Sequence, residues 1–112
     1  MSTKFTATDP RGIQVSCDEA RWNGHICSGD HTIMQRNEKA VVETIQNPDL
    51  IYTSSQIEES QVYFKVGATS TYDNALYTKV IVKISGTSGN VVTAFPVSKV
   101  KGGIADVPIY KR

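Results

Sequence analysis

Two histidines, His25 and His31, stand within seven residues of each other. Imidazole has an ordinary pKa of about 6.5, so each can take or give a proton near neutral pH. Metal-free cleavage of RNA needs little more than such a pair beside a few cations. One group takes the proton of a ribose 2′-hydroxyl, a second protonates the leaving 5′-oxygen, and cations stabilise the phosphorane-like transition state. Lys65, Lys79 and Lys83 with the Thr93 hydroxyl are the residues suited to hold the phosphate. Tyr63 and Tyr110 offer rings on which unpaired bases can stack. Each of these residues also has an ordinary use. His25 can be satisfied by a neighbouring carbonyl and His31 can cap a loop beside Asp30. The lysines can be solvated charges that keep a sheet from pairing with others, and the tyrosines strand residues with one wet end.

No Gly-rich phosphate loop, nucleophile elbow or metal-ligand spacing is present, so the chemistry is expected to need no metal and no cofactor. Cys17 and Cys27 follow neither zinc nor redox spacing and read as reduced small residues of a cytoplasmic protein. No secretory signal or membrane-length apolar run is found. The net charge of +1 hides an asymmetry: residues 1–60 carry five basic residues and nine acids, whereas 61–112 carry seven basic residues and two acids. A basic second half of this kind suits a polyanion partner.

The elements that must position these groups fit one domain of 112 residues. Residues 1–15 read as a polar leading segment with turn chemistry at Asp9-Pro10-Arg11-Gly12. Ser16 and Glu19 have the spacing of a capping box, which predicts a first helix carrying Trp22 and Ile26 on one stripe and ending at Ser28-Gly29. Val41, Val42 and Ile45 predict a second helix from about Asn37 to Gln46, stopped by Asn47-Pro48. Beyond it the period becomes two. Leu50–Tyr52, Val62–Val66, Tyr77–Ile84 and Asn90–Phe95 read as strands, the last following a turn at Ser88-Gly89-Asn90. The expected architecture is therefore α+β, with two N-terminal helices (16–47) followed by a roughly four-stranded antiparallel sheet (50–112). Val62, Phe64, Val66, Val80, Val82 and Ile84 would face the helices, leaving Lys65, Lys79, Lys83 and Thr93 on an open basic face. A helix histidine reaches that face only from the sheet edge, unless the facing is shifted by one residue.

Trp22-x-x-His25-Ile26, the second histidine His31, Asn47-Pro48-Asp49, Val62-Tyr63-Phe64-Lys65, Val80-Ile81-Val82 and Val92-Thr93-Ala94-Phe95 together resemble phage- and toxin-associated nucleases of the barnase–EndoU–colicin–RelE superfamily, over about residues 13–110. The resemblance implies metal-independent cleavage of transfer or messenger RNA to a 2′,3′-cyclic phosphate. It also implies an inhibitor or antitoxin protein as partner. Carried over, His25 and His31 match the family's N-terminal histidines, Lys65 its basic residue after the aromatic pair, and Thr93 its strand threonine. Relatives usually continue the second histidine with Pro-Glu, where this chain has Thr32-Ile33.

These observations lead to a small endoribonuclease-like toxin domain with His25, His31, Lys65 and Thr93 as its catalytic set. Tyr63, Lys79, Lys83 and Tyr110 would bind the substrate. The rival reading is a non-catalytic phage accessory or immunity-type module that binds through the same basic face.

Overall fold

A computed structural model describes residues 3–22, 38–55, 57–66, 77–97, 100, 104–105 and 107–111, with the backbone only at 95 and 96. Its elements are β1 (Thr3–Thr8), β2 (Gln14–Asp18), α1 (Glu19–Arg21), α2 (Glu38–Gln46), β3 (Leu50–Thr53), β4 (Ser60–Val66), β5 (Tyr77–Ser85), β6 (Ser88–Val97) and β7 (Tyr110–Lys111). The strands form one seven-stranded sheet in the order β1-β2-β6-β5-β4-β3-β7. Every pairing is antiparallel except that of β2 with β6. The expectation of two helices and a roughly four-stranded antiparallel sheet is thus corrected to a larger mixed sheet with two short helices among the described residues; the expected end of the first helix at Ser28-Gly29 lies outside them. No helix among the described residues is long and apolar enough to cross a membrane.

The correction begins at the N-terminus, where the polar leading segment is a strand hairpin. Phe5 and Ala7 on β1, and Val15 and Cys17 on β2, alternate inward, and Val15 and Cys17 are fully buried. Ser16 therefore sits in a strand, paired with Thr6 and Asn90, and caps no helix. The cap of α1 is Asp18, whose side chain accepts from the Ala20 N–H at 3.0 Å. Burying two core side chains on β2 outweighs one capping hydrogen bond. The turn between β1 and β2 is the Asp-Pro-Arg-Gly run, closed by Gly12 N–H to the Asp9 carbonyl at 3.0 Å, with Gly12 at φ 89°.

Helix α2 covers the stretch where the apolar pattern predicts one. It buries Ala40, Val41, Thr44 and Ile45, and the Thr44 hydroxyl is satisfied by the Ala40 carbonyl at 2.7 Å. That stripe packs on β1, β4 and β5. The resulting core joins Val41 and Ile45 to Ala7, Val15, Ile51, Tyr63, Val80, Val82 and Ala94.

Strand β5 faces as its alternation predicts, with Val80 and Val82 against α2. Strand β4 faces the other way. Tyr63 pairs with Val80 and Ile51 and lies in the α2 core, while Val62 and Phe64 point to the opposite side. Val62 and Phe64 are nonetheless as buried as Tyr63. Tyr52 meets the Phe64 ring edge-on at 5.9 Å. A central strand buried on both faces reads as a continuous apolar run, and its alternation cannot say which face is which.

The β5–β6 hairpin turns at Gly86-Thr87, with Ser85 opposite Ser88 and Gly86 at φ 62°, so the expected turn at Ser88-Gly89-Asn90 lies inside β6. Gly89 is needed there for close approach. A Cβ would meet Val82 Cγ1 at 2.8 Å and Ile84 Cδ1 at 3.0 Å.

Candidate functional site

The α2-free side of the sheet is built on β5. Lys79, Ile81 and Lys83 lie along it in steps of about 6.8 Å. Lys79 pairs with Phe64, Ile81 with Val62 and Thr93, and Lys83 with Ser60 and Asn90. Thr93 therefore sits beside the middle of the column, between the two lysines. Its Oγ1 is buried and, among the described residues, has no hydrogen-bond partner. Most buried polar atoms in folded proteins have one, which sets this hydroxyl apart among the described residues.

The two lysines differ. Lys83 is exposed. Lys79 is only 7% exposed, and its ammonium lies 5.9 Å from the centre of the Phe64 ring. Burial pushes its pKa below the usual lysine value.

The residues predicted to form one site are divided by the sheet. Thr93, Lys79 and Lys83 lie on the α2-free side. Lys65 lies on the other, where its Nζ donates to the Asn47 carbonyl at 3.2 Å, at the C-terminal end of α2. A cation is favoured at that end of a helix dipole. Tyr63 is also on the α2 side and fully buried, which closes its ring to stacking. Tyr110 pairs with Ile51 and packs half-buried on the same core. The expected open basic face is corrected accordingly: Lys65 does not share a surface with Thr93. His25 and His31 fall outside the described residues.

A polar cluster that the sequence reading missed lies on the α2 side. The Asp9 side chain is fully buried and accepts from the Tyr63 hydroxyl at 2.7 Å and from Arg11 Nη2 at 2.7 Å and Nε at 3.1 Å. Its other oxygen accepts from the Arg11 and Ile13 N–H groups, both at 2.9 Å. Arg11 Nη2 also donates to Gln61 Oε1 at 2.7 Å and to the Tyr63 hydroxyl at 3.0 Å. Burial alone would raise the Asp9 pKa, but the hydrogen bonds from Tyr63, the Arg11 side chain and the two backbone N–H groups hold it below its usual value. Burial, reinforced by the hydrogen bond to Asp9 and its charge, pushes Tyr63 well above the usual tyrosine range. The cluster fastens the β1–β2 turn to β4 and keeps Tyr63 protonated. Its only local signal is the Asp-Pro-Arg-Gly run, which marks a turn and says nothing of a partner on β4.

No protein-family model matches this chain, and neither a curated protein nor a solved structure matches it.

Proposed function

We propose that this chain is a small metal-independent endoribonuclease whose RNA meets the α2-free side of the sheet at its exposed end by Lys83, since Val62, Phe64 and Lys79 farther along that side are buried. The 2′-hydroxyl attacks the adjacent phosphorus, the 5′-oxygen leaves, and a 2′,3′-cyclic phosphate remains. The observation that supports the reading best is the Thr93 hydroxyl between Lys79 and Lys83, which has no partner among the described residues. Lys83 supplies exposed charge beside it. His25 and His31 are the proton carriers in this reading, one as base toward the 2′-hydroxyl and the other as acid toward the leaving oxygen. His25 is joined by three peptide bonds to Trp22, which is buried in the α2-side core against Phe5, a tether of at most about 11 Å between Cα atoms. Lys65, turned toward α2, leaves the catalytic set. Such an enzyme acts in the cytoplasm, where transfer and messenger RNA are found, and its producer needs an inhibitor protein to survive it.

The test is incubation of the purified chain with total and transfer RNA in EDTA, beside a His25→Ala variant. Cyclic-phosphate ends made by the wild type and lost in the variant support the proposal. Intact RNA, or equal cutting by both proteins, overturns it. The second reading, a binding module without catalysis, is favoured by the separation of Lys65 from Thr93. It predicts salt-dependent RNA binding with no product.

A further inference from the structure

The parallel pairing of β2 with β6 lasts only from Gln14 opposite Ser88 to Ser16 opposite Asn90. Beyond it β2 turns into α1 at Asp18, and β6 carries an extra residue where its register against β5 shifts between Ile81 and Val82. A cleft of about 560 Å³ opens at this point, with Asp18 and Arg21 on one bank and Lys83, Asn90 and Val92 on the other. We propose that this cleft holds one nucleotide unit of single-stranded RNA, its phosphate between Arg21 and Lys83 and its base between Val92 and the Asn90 amide.

The charge and shape of the cleft carry the argument. Arg21 and Lys83 are both exposed, and among the described residues neither forms an ion pair. Asp18, the one acid among the described lining residues, is already engaged by the Ala20 N–H. Two cations against one capped carboxylate leave the cleft net positive. Arginine presents a planar fork that matches two phosphate oxygens, and lysine adds a compact charge from the opposite bank. The Asn90 amide offers a donor and an acceptor in one plane, which suits a base edge. A concavity of this volume is in the range of small-ligand sites and takes one unstacked unit; a base pair inside a duplex cannot enter it. Lys83 belongs both to this cleft and to the column beside Thr93, so a strand lying along the column runs directly into it. The inference rests on the RNA reading of that face, but it concerns binding and not cleavage.

The experiment uses a fluorescein-labelled short 2′-O-methyl RNA, which has no free 2′-hydroxyl and cannot be cut. Anisotropy titrations with the full chain are run from about 50 to 300 mM salt. Arg21→Gln and Lys83→Gln are each expected to weaken binding about fivefold, and Arg21→Lys to recover part of the loss. The double variant should flatten the slope of log K against log salt by about 1.4, the loss of two cationic charges set against the strand. Lys39→Gln, on an exposed position of α2, should leave both quantities unchanged. Adenosine monophosphate should compete better than inorganic phosphate. A double variant with the wild-type slope, a Lys39→Gln loss as large as that of Lys83→Gln, or equal competition by phosphate overturns the cleft. Failure of the cleavage reading is separate, since it appears as intact natural RNA in EDTA whatever this probe does.

Discussion

At the scale of single residues, Asp9 carries the clearest energetic consequence. It is a fully buried carboxylate satisfied by donors from its own turn and from β4. Because the buried Tyr63 hydroxyl and the Arg11 guanidinium would lose their carboxylate acceptor, Asp9→Asn is expected to cost about 2 kcal/mol in denaturant unfolding at pH 7. Tyr63→Phe, which removes one donor and keeps the ring, should cost about 1–2 kcal/mol. The pH dependence follows from the sign of the shift. The folded carboxyl titrates below its ordinary 3.8, so its contribution is complete above that value and is lost as pH falls through the lower folded pKa. Melting curves taken from pH 7 down to about 2.5 should show the gap between wild type and Asp9→Asn closing only below about pH 4. A gap that is unchanged across that range would mean that the carboxylate's charge contributes nothing. The turn itself was legible from Asp-Pro-Arg-Gly. Its reach to Tyr63 was not, because that contact depends on how distant strands are ordered in the sheet.

At the scale of elements, signal strength decided what could be read. Helix α2 has a full apolar stripe and a proline stop, and β5 sets Val80 and Val82 cleanly against Lys79 and Lys83. The facing of Lys79 and Lys83, and that of Thr93 across from Ile81, was legible for this reason. Strand β4 was not, since Val62, Tyr63 and Phe64 are buried on both sides. Hairpin β1–β2 shows only two inward residues per strand among threonines and serines, and the Ser16–Glu19 spacing imitated a helix start. The turns make a paired prediction. Gly86 has a left-handed φ of 62° and open space where a Cβ would stand, so Gly86→Ala should lose about 1 kcal/mol from backbone strain alone. Glu59 adopts φ 59° without being glycine, and Glu59→Gly should gain about 0.5 kcal/mol. Equilibrium unfolding of both variants checks the opposite signs. Loss of stability in Glu59→Gly would show that its side chain contributes more than its backbone costs.

At the scale of the whole molecule, the division of charge along the chain does not divide the fold. The acidic first 60 residues supply β1, β2 and β3 to the same sheet as the basic remainder, so the described residues do not sort into an acidic helical layer and a basic sheet. What matters for a polyanion is the side of the sheet on which each lysine emerges. Lys83 lies on the α2-free side beside Thr93, and Lys65 lies on the α2 side against the Asn47 carbonyl. Sequence spacing places both on one face, and only the reversed facing of β4 separates them. If RNA occupies the α2-free side, Lys83→Gln should weaken its binding about fivefold and reduce the salt slope by about 0.7. Lys65→Met should leave affinity and slope nearly unchanged while costing up to about 1 kcal/mol of stability, through the lost contact at the end of α2. Binding titrations and unfolding curves on the same two variants separate the effects. Equal losses of RNA affinity would mean that the polyanion senses total charge, not a face, and would remove the α2-free side as its binding surface.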